Sequence, residues 1–357
     1  MDGNLKNKMN SMEFYMKKLV IVPGIVISML IALFSIWIES LLPIHIVGAS
    51  VIAMFIGMTL NHFLKKTTVF SVGAKFTSKK ILKLAIIMLG LSLNINTIFS
   101  VGKMSLVVMF FTLLTCFGGG YFIGKALKLN WKLSNLISAG TGICGGSAIA
   151  AIAPTIDADD NDVAYAMSAT FLFDMAMILL FPIMGRAIGM SDEAFGLWAG
   201  TAVNDTSSVV ATGYSFSEAA GDFATMVKLT RTLSIIPTVL VFAFINLHLK
   251  RKEAKARGVD ESTLKANFSI KKIFPWFIVG FVAMSVIASL VAIPVEIVSN
   301  TKTISKFLMV AALSAIGLNT SFASMKKTGI RPMIHGFIIS ALVVVVALLV
   351  EIAMGIV

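Results

Sequence analysis

The sequence has few of the residues from which metal centres, disulfide frameworks and soluble surfaces are built. Only 13% of its 357 residues are charged, and it has two cysteines and four histidines. Both cysteines lie in apolar or interrupted segments, so no disulfide framework is indicated, and the histidines lack the spacing of zinc ligands. No phosphate-binding loop is present in the sequence. We therefore expect no cofactor, no metal site and no ATP-driven pump.

Apolar residues dominate instead. They make up 57% of the chain, and the mean hydropathy is +0.91, values that exclude an ordinary soluble globule. We predict an all-α polytopic membrane protein with about nine to eleven spans, since a span needs about 20 apolar residues. The predicted spans are 19–38, 44–64, 81–97, 103–124, 163–185, 222–248, 273–295, 303–319 and 332–356, and the interrupted stretches 133–156 and 194–214 are the uncertain ones.

The net charge of +12 has a pattern that indicates a membrane topology and not a nucleic-acid surface. Basic residues occupy alternate loops, which is the positive-inside pattern. It predicts a cytoplasmic amino terminus, an external carboxyl terminus, a basic tail at 1–18, a cytoplasmic basic loop at 249–272 and one transporter domain at 19–357. The clusters are Lys6, Lys8, Lys17 and Lys18; Lys65, Lys66, Lys75, Lys79 and Lys80; Lys125, Lys128 and Lys132; Lys250, Arg251, Lys252, Lys255, Arg257, Lys265, Lys271 and Lys272; Lys326, Lys327 and Arg331.

Two runs of small and polar residues interrupt the apolar sequence, at 139–147 and at 199–207. Broken backbone at membrane depth survives only where protein or a water-filled cavity surrounds it, and paired interruptions mark the binding sites of secondary transporters. We predict that both runs line a solute site, although glycine runs also serve close helix packing. The candidate residues are Thr141, Gly145, Gly146 and Ser147 in the first run, and Asn204, Asp205, Thr206 and Ser207 in the second.

The runs also indicate an internal repeat. Several residues recur at an offset of sixty, and the segment 88–94 resembles 315–321. An inverted repeat is typical of secondary transporters. If both interrupted stretches cross the membrane there are eleven spans; if both are re-entrant hairpins there are nine, and the hairpins enter from opposite faces. Loop charges fit both alternatives.

Three of the ionisable residues within predicted membrane segments are candidates for a functional role. Asp174 is surrounded by apolar residues, where a carboxylate is costly; it is either the site of a coupling ion, H+ or Na+, or a structural acid bonded to a broken helix end. Lys228 and Arg231 share one helical face. They either bind an anionic solute, or neutralise Asp174 or Asp205, or extend to a membrane interface.

The two runs, together with Phe173-Asp174 and Lys228-Leu229-Thr230-Arg231, resemble the YeiH-type family of bacterial membrane proteins, which are labelled sulfate exporters. The resemblance covers nearly the whole chain after the basic tail. It implies a place in the cation:proton antiporter and anion transporter superfamily, discontinuous helices that cross at the midplane and a bacterial inner-membrane location. Asp174 resembles the coupling carboxylate of related antiporters, and dimers are common among related folds, so a homodimer is also implied.

We therefore predict a secondary active transporter that exports a small anion such as sulfate, coupled to a proton or sodium gradient through alternating access. The alternatives are an anion channel and a transporter of a different small organic solute. A channel needs a continuous polar pore face, whereas the polar residues here cluster at two points. We do not expect an enzyme, because no nucleophile and base pair with each other in the membrane segments.

Overall fold

The computed structural model of the chain describes residues 2–41, 49–64, 68–256, 276–320 and 329–357. In these ranges the backbone forms helices and no strand, because an α-helix satisfies its own backbone polar groups where lipid offers no partners. Six helical stretches are long and apolar enough to cross a bilayer, and two shorter apolar helices accompany them. The prediction of an all-α polytopic membrane protein is confirmed.

The helices are numbered here in chain order. They are α1 (Asp2–Leu41), α2 (Ala49–Leu64), α3 (Thr68–Phe76), α4 (Leu82–Leu89), α5 (Ile95–Leu114), α6 (Gly120–Ala126), α7 (Trp131–Ala139), α8 (Gly146–Ile152), α9 (Asp160–Ala187), α10 (Asp192–Ala202), α11 (Thr206–Phe216), α12 (Glu218–Leu233), α13 (Ile235–Ala256), α14 (Trp276–Leu290), α15 (Val295–Asn319) and α16 (Ile330–Ala353). Wider π-helical turns lie at Thr77–Ile81, Thr115–Gly119 and Gly140–Cys144.

Several helix boundaries differ from those predicted. The helix expected to start at residue 81 already begins at Thr68, so Lys75, Lys79 and Lys80 are helical with exposed side chains instead of lying in a loop. Helix α13 continues to Ala256, into the predicted basic loop. Residues 257–272 and the predicted basic residues Lys65, Lys66, Lys326 and Lys327 lie outside the described residues.

The chain divides into two compact units. Unit 1 comprises Met1–Thr97 and Phe277–Phe322, and unit 2 comprises Ile98–Trp276 and Ala323–Val357. Within unit 1, α2 and α15 are in backbone contact: a Cβ added to Gly317 would stand 2.1 Å from the carbonyl oxygen of Met54. The closeness of these two helices depends on a residue without a side chain.

In unit 2 the first interrupted stretch is a re-entrant hairpin, hairpin 1, formed by α7, the π-turn and α8. Its start and the chain beyond its end are bonded to each other. The Asn130 amide donates to the Asp162 carboxylate at 3.0 and 3.1 Å, and Lys132 Nζ donates to the carbonyl oxygen of Asp157 at 2.6 Å. The chain therefore leaves hairpin 1 at the end of the unit where it entered.

The second interrupted stretch, α10 and α11, forms hairpin 2 in the same way. Ser217 Oγ donates to Asp192 Oδ1 at 2.6 Å, which joins the residue after α11 to the first residue of α10. Arg186, at the end of α9, donates to the carbonyl oxygens of Ser215 and Phe216 at 2.9 and 3.1 Å. The end of α9 thus lies beside the open end of hairpin 2.

The two hairpins enter unit 2 from opposite ends. Helix α9 has 28 residues, about 42 Å at 1.5 Å per residue, and it runs from the open end of hairpin 1 to that of hairpin 2. The stretch Glu218–Lys252 returns, because Lys250 Nζ meets Asp157 Oδ2 at 2.7 Å. The geometry favours the opposed-hairpin alternative, and it matches the offset of sixty, since hairpin and long helix occur twice in opposite directions.

Candidate functional site

The tips of the two hairpins touch each other. Gly145, the break in hairpin 1, has φ +62°, and a Cβ added there would stand 2.9 Å from Cβ of Asp205 in the break of hairpin 2. Glycine is required twice, because other residues rarely adopt this backbone conformation and because the neighbouring segment leaves no space. The two sequence runs that were predicted to line one site are therefore brought together.

Asp174 lies near the middle of α9 and holds the break of hairpin 2. Its carboxylate accepts the backbone N–H groups of Asn204 at 2.9 Å and Asp205 at 3.0 Å, and its side chain is buried. These N–H groups precede the first turn of α11 and have no helical partner. The observed contact is the one expected of a structural acid at a broken helix end; a role in coupling stays a prediction.

Arg231 joins both hairpins. Its Nε donates to the carbonyl oxygen of Gly142 at 2.6 Å, its Nη2 donates to that of Thr141, and its Nη1 donates to that of Val203 at 3.2 Å. Lys228 Nζ adds a second donor to Val203, at 3.0 Å. Both side chains are at most 1% exposed. The sequence predicted the pair on one face but not its partners, which are carbonyl oxygens rather than Asp174 or Asp205.

We call the place where the two hairpin tips touch the crossing. The charged side chains there are arranged according to the polarity of the broken helices. The first arms, α7 and α10, end in carbonyl groups that carry partial negative charge, and these face Arg231 and Lys228. The second arm of hairpin 2, α11, starts with N–H groups that carry partial positive charge, and these face Asp174. Asp205 also caps α11, since its Oδ2 accepts the backbone N–H of Ser207 at 3.0 Å as well as the Ser207 hydroxyl.

Exposure separates the predicted site residues into two groups. Ser147 is exposed, and Gly146, Asp205 and Thr206 are partly exposed. The others are buried between the hairpins and form a cluster that we call the brace. They are Thr141, Gly145, Asp174, Asn204, Ser207, Lys228 and Arg231. In this conformation the tip residues are therefore accessible, and Lys228 and Arg231 lie behind them.

One residue of the cluster was missed by sequence reasoning. Ser340, near the middle of α16, has its Oγ 3.4 Å from Thr141 Oγ1 and accepts the Asn204 amide at 3.5 Å. Asn204 Oδ1 is buried and has no hydrogen-bond partner among the described residues. A single serine in an apolar helix resembles the many that bond their own backbone, so the sequence carried no signal for it.

Comparison with known proteins places the chain. The family model described as "Conserved hypothetical protein 698" matches residues 23–336. The chain belongs to this family. Similar relatives include a "UPF0324 membrane protein" of Clostridium tetani, 55% identical over 334 residues that cover 93% of this chain and 97% of the relative. Another, from Streptococcus pyogenes, is 39% identical over 352 residues that cover 97% of this chain and all of the relative. A third, from Streptococcus mutans, is 41% identical over 320 residues, 88% and 91% of the two chains.

The membership of this chain in the family and its apolar helices both indicate a multi-pass membrane protein. The relatives' names say membrane protein and nothing about a solute. The function must therefore be argued from the crossing itself.

Proposed function

We propose that this chain is a secondary transporter whose solute site lies at the tips of the two opposed hairpins. The observation that carries the proposal is that two broken helices meet halfway along a membrane-length helix, with ionisable side chains on their broken ends. Irregular backbone at this depth is expected only where it lines a cavity or is buried in protein. Paired half-helices at the midplane are the arrangement in which secondary transporters bind solute and coupling ion.

For the solute we propose a small anion such as sulfate, moved outward at the expense of a proton or sodium gradient. The support is the resemblance to YeiH-type exporters and the positive charge of Lys228 and Arg231 behind the tips. Because their N–H groups are bonded to carbonyl oxygens, these cations act on the solute through their field. Direct contact falls to the accessible tip residues Gly146, Ser147 and Thr206.

We propose further that hairpin 1 enters from the cytoplasm of a bacterial cell and that the amino terminus is cytoplasmic. The end of unit 2 that carries the open end of hairpin 1 also carries Lys132 and Lys250, in agreement with the positive-inside rule. Single cysteines at Pro154 and Ala219, both exposed, test this in sealed vesicles. A reagent that cannot cross the membrane should label Ala219→Cys from outside and Pro154→Cys only after the vesicles are opened. Labelling of both from one side would refute the opposed hairpins.

The transport test is uptake of labelled sulfate into proteoliposomes, with and without an imposed proton or sodium gradient. The variants are Ser147→Ala and Thr206→Val, which remove tip hydroxyls and leave the buried brace intact, with Ser299→Ala, an exposed serine of unit 1, as the matched control. We expect gradient-dependent flux that falls in the tip variants and not in the control. If sulfate is not transported but another solute is, and the tip variants impair its flux, then the proposed solute is wrong and the proposed site is retained. Normal flux in both tip variants would refute the site.

A further inference from the structure

Helix α16 carries a carboxyl group that no part of the site uses. Glu351 is 0% exposed, and both of its carboxyl oxygens lack a hydrogen-bond partner in the described ranges. No cation in those ranges forms an ion pair with it. Intramembrane acids normally pair with a cation or with backbone groups, so this group is exceptional for its isolation.

Glu351 lies on the face of α16 that leads to the hairpin crossing. Ser340, Val344, Ala347 and Glu351 follow one another at intervals of three or four residues and are all buried, so they form one stripe. At one end Ser340 contacts Thr141 and Asn204, and Glu351 is about 16 Å along the helix from it. Between them the Trp198 indole N–H donates to the Val344 carbonyl oxygen at 2.9 Å, which fixes the stripe against α10, the first arm of hairpin 2.

The charged and titratable groups on the surrounding elements do not neutralise Glu351. None of their described side chains pairs with it. On α10, whose arm faces the stripe, both acids are exposed and carry the same sign of charge as a glutamate would. The groups are Asp192 and Glu193 on α10; Asp162, Asp174 and Arg186 on α9; Lys132 on α7; Lys125 on α6; Lys103 on α5; Cys116 and Cys144 in the π-turns Thr115–Gly119 and Gly140–Cys144; and Arg331 and His335 on α16 itself.

Glu351 and Asp174 differ in the hydrogen-bond donors that face them. Asp174 accepts two backbone N–H groups, and such bonds favour the ionised carboxylate. Glu351 has no donor, so its ionised form would lack any compensation for leaving water, whereas the neutral acid avoids most of that cost. The packing seen here, with the stripe closed against α10, therefore favours the protonated form of Glu351.

We propose that Glu351 binds and releases the coupling proton, which rests on the transporter function proposed above. The carboxylate takes one proton from water to give the neutral acid, and α16 then closes against hairpin 2. Loss of the proton to water regenerates the charge and favours separation of α10 from the stripe. The stripe thereby links the protonation state to the hairpin whose tip contributes Asp205 and Thr206.

Infrared difference spectroscopy of the purified protein tests the protonation step without a solute. At neutral pH we expect a carbonyl band of a protonated carboxyl group that is absent in Glu351→Gln and present in Glu193→Gln, the exposed control. Transfer into heavy water should shift this band, because a proton that is released must exchange. A band unchanged in Glu351→Gln, or one that does not shift in heavy water, would overturn the proposal.

The transport arm separates this inference from the proposed function. The comparison applies where the wild-type protein transports solute into proteoliposomes. Glu351→Gln should then lose the response to a proton gradient but keep solute exchange without a gradient. Glu351→Asp should keep part of the gradient response and part of the exchange. A gradient response in Glu351→Gln equal to that of the wild type would overturn the role of Glu351 and leave the transporter intact. If the wild type moves no solute, the proposed function fails, and heavy-water exchange of the band still shows whether Glu351 exchanges its proton.

Discussion

Replacement of Arg231 distinguishes a structural brace from a solute ligand. The guanidinium donates to carbonyl oxygens of both hairpins, at Thr141, Gly142 and Val203, and it is buried. Arg231→Ala leaves the oxygens of Thr141 and Gly142 without their charged donor inside the protein, and Val203 keeps only the bond from Lys228. We therefore expect it to lower the stability of the protein whether or not a solute is present.

The magnitude follows from the contacts. A hydrogen bond to a charged group contributes about 1.5–3 kcal/mol, and removal of one partner of a buried charged interaction costs about 3–5 kcal/mol. We expect Arg231→Ala to lower the free energy of unfolding by the latter amount. Lys228→Met should cost less, about 1.5–3 kcal/mol, because Lys228 makes one such bond and its acceptor, Val203, keeps the bond from Arg231. Arg231→Lys should recover only part of the stability that Arg231→Ala loses. Lysine restores the positive charge, but its ammonium lacks the planar fork of donors that arginine has.

The assay is unfolding of the purified variants in detergent by heat or denaturant, with and without sulfate. We expect the wild type to be the most stable protein and Arg231→Ala the least stable. Lys228→Met and Arg231→Lys should lie between them. If Arg231→Ala unfolds like the wild type without sulfate and loses only the stabilisation that sulfate provides, then Arg231 is a solute ligand and the brace is refuted.

Two further variants test other contacts of the crossing, and a third serves as the control for one of them. Asp174→Asn should cost about 1–3 kcal/mol, because an amide can accept only one of the two N–H groups, and hydrogen exchange should quicken at residues 203–207 but not in hairpin 1; uniform quickening would contradict this. Gly145→Ala should cost more than Gly189→Ala, because both glycines have positive φ but only Gly145 has neighbours within 4 Å; melting temperatures measure the difference, and equal losses would show that tip contact is unimportant.

The turn after α8 offers a test of pH dependence outside the membrane segments. Partial burial raises the pKa of Asp157, but hydrogen bonds from Lys250 and Asn246 outweigh this and lower the pKa below its ordinary value. The stabilisation is therefore present above the ordinary pKa of an aspartate and is lost as pH falls through the lowered one. Asp157→Asn, which tolerates the φ of +51°, should remove this acid-dependent loss, about 1 kcal/mol or less for an exposed pair. Melting temperatures at neutral and acid pH measure it; an unchanged acid loss would refute the assignment.

The sequence predicted the parts of this protein that depend on composition along the chain. Hydropathy located the long helices, and the runs around Gly145 and Asp205 located both helix breaks. Loop charges could not separate crossing from re-entry, because both give the same parity; bonds such as Lys132 to Asp157 decide that question. The carbonyl partners of Arg231 are long-range contacts with no signature in sequence. Ser340 and Glu351 were missed because a lone polar residue in an apolar helix gives no periodic signal.

The brace also has a consequence for the order of folding during synthesis. The helix that follows hairpin 1 carries Asp174, which holds hairpin 2, and the helix that follows hairpin 2 carries Arg231, which holds hairpin 1. The carbonyl groups of Gly142 and Thr141 leave the ribosome 89 and 90 residues ahead of their partner, respectively. Hairpin 1 thus enters the membrane before its tip can close, so neither half of unit 2 should reach its native form alone, and truncation before Arg231 should leave hairpin 1 open to proteases.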